Sequence, residues 1–444
     1  MLKKKTENPT PELWIASDMI VTAAPTTFYH KLQSALDAMG FGEKVRAFCE
    51  PHYSPKSNVR PPIDPEVYFK MLLVGFFENI RSERGIAHRC GDSLSIRSFL
   101  RYDLTQQVPD HSTLSVIRQR LPKELYIGVF RLVLDALRTH GLVRGKHLAI
   151  DSSVMEANAA LRSLTNKMTE QSYDAYIKAL AKEAGIDPND RAAVANFDRK
   201  RKGRKTSNKE WHNPHDTDAK IGKTKHGATD MLYKPEHTVD LETGAIVNAT
   251  VLLGDQGDAE GLTERIDVAR EQLESIGLAD VESVTSDKGY CKAKELALLQ
   301  ARGLRTIIPD GQPKRNRANY TQTEWAAVKK AEAEVKSDEG KRFLRLRGQQ
   351  VERSFAHALD SGGARRTTLR GIENIEKRYI VTAMAYNLSL MMRAMTGFGT
   401  PKQQAAVERW LHTIIRGICA ITKWMRCIVV SNRRATKLIK LATR

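Results

Sequence analysis

Cysteine is scarce in this chain. There are five among 444 residues (Cys49, Cys90, Cys291, Cys419 and Cys427). The number is odd, the positions are scattered, and none form a Cys-x-x-Cys pair, which speaks against a disulfide scaffold and for a reducing compartment. An uninterrupted apolar run of membrane-spanning length is also missing. The most apolar late stretch, residues 410–430, carries Arg416, Lys423 and Arg426 and makes a poor span. Met1-Leu2-Lys3-Lys4-Lys5 leads into polar residues and not into the apolar core of a secretory signal, so a cytoplasmic location is expected. Internal repeats and long low-complexity tracts are absent as well. Acids are in deficit: 52 Asp and Glu stand against 71 Lys and Arg, a net charge of +19. That excess favours a polyanionic partner, and without a span nucleic acid ranks above a membrane surface.

What is present supports a large folded protein. Hydrophobic residues make up 41%, and the length predicts two or three domains. Residues 1–145 read as a helical domain. Leu32, Leu36, Met39 and Val45 recur at helical spacing. Pro61-Pro62-Ile63-Asp64-Pro65 breaks the chain and starts a helix through Val67, Phe69, Leu72, Leu73 and Phe76. Residues 82–92 give a short helix stopping near Gly91. Pro109-Asp110-His111-Ser112-Thr113 caps another, which bears Arg118 and Arg120. Helix, turn and capped basic helix is compatible with a helix-turn-helix DNA reader; a plain bundle with a solvated basic face is the competing reading.

From residue 146 the pattern changes. Residues 147–151 form a short apolar strand. Residues 165–210 are polar and helix-forming, and contain the run Arg199-Lys200-Arg201-Lys202-Gly203-Arg204-Lys205. Such a run repels itself unless phosphate neutralises it, although a solvated surface stretch is the plainer alternative. Strands at 232–240 and 245–253 flank the hairpin signal Glu242-Thr243-Gly244. An amphipathic helix (258–276), a strand (281–286), a helix (292–300), a strand (304–308), a polar basic gap and a helix (343–359) follow. Another apolar helix covers 372–396. Residues 397–444 are expected to form a basic amphipathic helical tail that grips DNA or contacts another subunit.

The order strand, strand, strand, helix, strand, helix, strand, helix is that of an α/β RNase H-like fold, a mixed five-stranded sheet with flanking helices. It would span 146–396, with a basic helical insertion at about 155–228, the all-α domain before it and the tail after. Three acids hold telling places in that order. Asp151 ends the first strand, Asp287 follows the fourth, and Glu352 lies on the helix after the fifth. Carboxylate oxygens suit Mg²⁺, and two such ions about 3.5–4 Å apart activate water and stabilise a leaving 3′ oxygen. Each acid has a plainer reading: a strand-end turn or helix cap for Asp151, a loop residue for Asp287, a surface ion pair with Arg353 or Arg347 for Glu352. Their joint placement favours metal. The His-x-x-His of Trp211-His212-Asn213-Pro214-His215 has no zinc-spaced partner, and Tyr290 and His357 read as packing residues.

The blocks around the three acids resemble a known family. Ala149-Ile150-Asp151-Ser152-Ser153 with Ala157-Asn158, Ser286-Asp287-Lys288-Gly289-Tyr290 and Gln350-Val351-Glu352-Arg353-Ser354-Phe355 are similar to the catalytic blocks of insertion-sequence DDE transposases. Ser82-Glu83-Arg84, Pro109-Asp110-His111-Ser112-Thr113 and the acidic block Asp216-Thr217-Asp218-Ala219 add to the likeness, which covers residues 28–396. The resemblance implies that Asp151, Asp287 and Glu352 are catalytic ligands of two Mg²⁺ ions, with Mn²⁺ as a substitute. It implies double-stranded DNA, both terminal inverted repeats and target, as partner, and hence association with the nucleoid. It also implies a homodimer or larger assembly on DNA ends, and cleavage followed by strand transfer without a covalent protein–DNA intermediate.

The chain departs from the Tyr-x2-Arg-x3-Glu-x6-Lys signature of many members, because the matching positions are Arg345, Gly348, Glu352 and Leu359. Phosphate-binding charge is expected instead from Arg347, Arg353, Arg365 and Arg366, together with Lys288, Arg118, Arg120 and the basic run Arg199, Lys200, Arg201, Lys202, Arg204 and Lys205. Only 65 positions separate Asp287 from Glu352, too few for the large all-β insertion some relatives hold there. A non-catalytic DNA-binding repressor derived from a mobile element and an RNase H-like nuclease that does not rejoin are the other functions the residues allow.

Overall fold

The computed structural model describes residues 27–53, 63–201, 207–224, 227–311 and 315–442, with side chains described as far as residue 422. Its N-terminal part is helical: α1 (Phe28–Ala38), α2 (Phe41–Cys49), α3 (Pro65–Phe77), α4 (Glu83–Asp92), α5 (Leu94–Phe99), α6 (His111–Arg120) and α7 (Lys123–Thr139). The expected cap of α6 forms, with Asp110 accepting from the Thr113 amide at 2.9 Å, and at the expected proline break Asp64 accepts from the Glu66 amide ahead of α3. Helix α3 is buried on every side from Glu66 to Phe77, as a helix that is apolar all round must be. The short α5, capped by Ser93, was not anticipated.

The second part alternates. It contains β1 (His147–Ser152), β2 (Met155–Glu156), β3 (Thr165–Asn166), α8 (Tyr173–Glu183), α9 (Arg191–Lys200), β4 (Trp211–His212), β5 (Lys220–Lys223), β6 (Thr229–Asp240) and β7 (Ile246–Leu253). Then come α10 (Leu262–Glu274), β8 (Ser283–Thr285), α11 (Ala293–Ala301), β9 (Arg305–Ile307), α12 (Gln322–Lys336), α13 (Asp338–Phe355), α14 (Ile372–Thr396) and α15 (Pro401–Ala442). The principal strands run β7-β6-β1-β8-β9; β6 is antiparallel to β7 and β1, whereas β1, β8 and β9 are parallel. The sheet has seven strands rather than five, because short β2 and β5 extend the pairing of the 12-residue β6 beyond β1 and β7. The insertion after β1 packs α8 and α9 with the β3–β4 pair, and Trp211 is buried against the rings of Tyr173 and Tyr176.

The supposed polar gap before the helix bearing Glu352 holds α12. A Thr321–Glu324 capping box starts it. Its buried face consists of Ala327, Val328 and Ala331, a stripe too small to register as hydrophobic periodicity. Helix α13 starts at Asp338, earlier than expected, and passes into a π-helical turn over Ala356–Ser361.

Helix α14 joins the two parts. It lies against β7 on one side and α3 and α7 on the other, so one continuous apolar core runs from α1 through the sheet. A second cluster, built on Ile150, Val284, Leu296 and Val328, fills the space under α10, α11 and α12. The acidic block at Asp216 and Asp218 caps α14: their carboxylates accept from the amides of Gly371 (3.1 Å) and Ile372 (2.9 Å), where acids complement the helix dipole. Among the described residues no helix is long and apolar enough to cross a membrane.

His237 on β6 ties the sheet to both covering helices. Its Nδ1 meets Ser354 Oγ of α13 at 2.8 Å and its Nε2 meets Tyr379 OH of α14 at 2.7 Å. The ring stacks on Phe355, and burial pushes its pKa down to about 3, so it is neutral. His237→Leu leaves two buried hydroxyls without this partner and is expected to cost about 2–4 kcal/mol. Urea denaturation checks this; a loss below about 0.5 kcal/mol would show that the network holds nothing.

Candidate active site

Register brings the first two acids together. In the parallel β1–β8 pair, Ala149 lies beside Thr285. Asp151 and Asp287 each come two residues later, so they sit side by side at the C-terminal ends of adjacent strands. Ser286 Oγ donates to the Ile150 carbonyl at 2.7 Å and fastens the two ends. Asp287 turns the chain into a one-turn 3-10 helix, Lys288–Tyr290, by accepting from the Gly289 amide at 2.8 Å. Asp151 accepts from the Ser152 amide at 2.8 Å. The plainer reading of Asp287 as a turn residue is therefore real, whereas Asp151 caps no helix, and both bonds hold the carboxylates at the strand ends.

The electrostatics of Asp151 are unusual for an aspartate. Its pKa is pushed up to about 6, first by burial and further by the nearby charge of Asp287, while the Arg347 guanidinium of α13 opposes the rise. Arg347 forms an ion pair with Asp151. A cation already stands against this carboxylate, and Arg347 Nε is buried without a hydrogen-bond partner among the described residues. Oxygen donors gathered under a positive charge are the donor type that hard divalent ions take.

The third acid is not in the cluster. Helix α13 turns Phe343, Val351 and Ser354 inward, whereas Glu352 is exposed and forms no ion pair among the described residues. It follows Val351 by one residue, about 100° around the helix. Among the described residues no three His, Cys, Asp or Glu side chains lie close enough to hold a metal ion. The expected cradle of three is thus assembled in two parts, an aspartate pair and a glutamate around the helix. Arg347 occupies the face that points at Asp151.

Two further acids sit behind the pair and carried no motif signal. Asp258 accepts from Ser152 Oγ at 2.8 Å and pairs with Lys234. Glu236, pushed up to about 7 mainly by burial, is held by Tyr290 OH at 2.9 Å and Arg265 at 2.5 Å. A Cβ at Gly289 would stand 3.0 Å from Asp287 Oδ1 and 3.5 Å from Asp258 Oδ2, so glycine there lets the carboxylates close around the turn. The β1–β6 register, which sets Ser152 beside Glu236, is a tertiary feature that no motif announces.

The basic residues divide. Lys288, Arg353, Arg366, Arg199, Lys200 and Arg120 are exposed; Arg120 also lies over the Tyr53 ring. Arg365 binds Asp360 at 2.8 Å and reaches Ser153 Oγ at 3.4 Å, just past Asp151. Arg201 is spent on Asp198 at 2.8 Å, and Lys202, Arg204 and Lys205 lie outside the described residues. Arg118 must be corrected. It is buried, paired with Glu83 and bonded to Asn374 Oδ1 at 3.3 Å, while its carbonyl accepts from Lys377. It bolts α4 and α6 to α14 instead of facing a groove. His357 is half-buried near Tyr386, with its pKa lowered by burial and by Arg393 and Arg353.

Sequence comparison matches residues 20–120 to a transposase domain family and residues 144–388 to the transposase DDE domain family. The chain belongs to the DDE transposases. No curated protein sequence matches this transposase.

The raised pKa of Asp151 makes a test. The folded protein keeps the proton up to about 6, whereas the ordinary value is 3.8. The native state therefore binds more protons than the unfolded chain in that interval. Asp151's contribution to stability is complete below the ordinary value and is lost as pH rises through 6. Asp151→Asn, which cannot ionise, is expected to gain on the wild type as pH rises, by on the order of 3 kcal/mol once the carboxylate is charged. Thermal melts without divalent ions, from about pH 4 to pH 8, check this; a difference that does not grow with pH would overturn it.

Proposed function

We propose that this transposase cuts DNA at the ends of its own element and transfers the freed 3′-OH into target DNA, using Asp151, Asp287 and Glu352 on an RNase H-like domain. The observation that carries the reading is the aspartate pair, aligned on neighbouring parallel strand ends with interacting charges. The strand order β7-β6-β1-β8-β9, with its antiparallel half and parallel half, supports the RNase H-like assignment. Two Mg²⁺ ions, or Mn²⁺ in their place, held by the three acids would lower the pKa of an attacking water or 3′-OH and stabilise the leaving 3′ oxygen.

The chain's own residues supply the rest. Asp151 and Asp287 offer donors fixed by strand pairing. Glu352, exposed on α13, would supply the third carboxylate once Arg347 releases Asp151. Arg347, with one buried nitrogen unused, then turns to a phosphate oxygen. Exposed Lys288, Arg353 and Arg366 neutralise flanking phosphates, and Arg365 steadies the segment after Asp151. Arg120, Arg199 and Lys200 extend the basic surface. No side chain forms a bond to DNA. Paired cutting of two ends brings at least two copies together on double-stranded DNA, which places the working protein at the nucleoid.

Asp151→Asn, Asp287→Asn and Glu352→Gln are each expected to reduce Mg²⁺-dependent nicking of end-bearing DNA by at least about a thousandfold, with gel-shift affinity nearly unchanged. Full nicking by any one variant removes that residue from the mechanism. Wild-type binding without nicking would favour a repressor, and nicked but never joined products would favour a nuclease.

A further inference from the structure

Helix α15 starts on the body of the protein and then leaves it. Its first turns meet α1, where Gln404 is buried. From Ala405 to Thr422 every residue is exposed. At about 1.5 Å per residue the 42-residue helix is roughly 63 Å long, and a helix without tertiary packing is marginal in water.

The exposed face is nevertheless apolar. Val407, Leu411, Ile414, Ile418 and Ile421 are 43%, 46%, 37%, 56% and 58% exposed. Their spacing is four, three, four, three, the 3.5-residue repeat of a coiled-coil seam. Trp410 and Ile415 flank it, at 63% and 54% exposure. Arg409 and Arg416 each lie two positions from a seam residue on either side, and so on the far face. The same spacing continues in the sequence at Met425, Ile428 and Asn432.

We propose that this seam packs against the same seam of a second copy, in a parallel two-stranded coiled coil that dimerises the transposase before DNA binds. Several features select a second copy of this chain. The strict 3.5-residue repeat is what a supercoiled pair requires, whereas a helix lying on lipid needs no such seam. Two proteins of charge +19 repel each other through most surfaces, but from Trp410 to Thr422 the seam and its flanks carry no charged side chain. Withdrawing this face on two copies buries on the order of 1,000 Å², the threshold of a specific interface. In the sequence an asparagine, Asn432, falls at a seam position, where such a residue sets register. Arg409 and Arg416 then remain outward.

The inference goes beyond the catalytic reading and does not depend on it, because it is read without DNA or metal. Light scattering of the full chain at micromolar concentration is expected to give twice the 49.9 kDa of one chain. The double variant Ile414→Asp/Ile418→Asp is expected to be a monomer with the melting temperature of its body unchanged, while Arg409→Ala/Arg416→Ala stays dimeric. Ile418→Cys in a Cys419→Ser background is expected to give a covalent dimer on mild oxidation, since equal positions face each other in a parallel pair. A monomeric wild type, or a dimer that survives Ile414→Asp/Ile418→Asp, overturns the proposal. So does a wild type that binds phosphatidylglycerol vesicles through this face while remaining a monomer. Nicking by the aspartate variants leaves this measurement untouched, so the two readings fail separately.

Discussion

Strand β1 is the constraint on which the rest depends. It is paired antiparallel to β6 on one edge and parallel to β8 on the other. A parallel pair cannot be closed by a tight turn, so the chain between β1 and β8 must leave and return. The insertion, the β6–β7 hairpin and α10 all lie in that excursion. Its outcome is one register, Ala149 beside Thr285, and that register decides where two aspartates end up. A slip of one residue would send every side chain of β1 to the opposite face and separate the pair.

Burying acids at one edge has a desolvation cost that the protein offsets locally. Asp151 takes a guanidinium from α13, and Asp258 takes an ammonium from Lys234. Glu236, deeper still, takes Arg265 and a tyrosine hydroxyl. Each of these three acids thus has its own donor, and burial still raises both Asp151 and the deeper Glu236 above the ordinary carboxylate range. Clustering of perturbed acids at strand ends is a usual mark of a functional site.

The helical N-terminal part is no separate module. Helix α14 serves as the lid of the sheet and as the core partner of α3 and α7, and the buried Arg118–Glu83–Asn374 contacts fasten that junction. His237 in turn links α14 to α13, which carries both Arg347 and Glu352. The tail has the opposite character: among the described side chains α15 packs on the body only at its start, and an apolar stripe from Val407 to Ile421 is exposed.

Strand and helix order was legible because each element's periodicity is local. The β6–β7 hairpin, the Asp110 cap and α14 follow from spacing and turn chemistry alone. Helix α12 was not legible, since its buried face is alanine and valine, and α5 was too short to show a period. Arg118 looked like a surface cation because sequence does not show which side of a basic helix meets another helix. Asp151 and Asp287 were identifiable by their positions after apolar strands. Residue order alone thus determined the elements, their sequence and the candidate acids. Which acids meet, which cation faces Asp151 and which way Glu352 points were decided by strand register and helix rotation, because those depend on contacts between residues far apart in the chain.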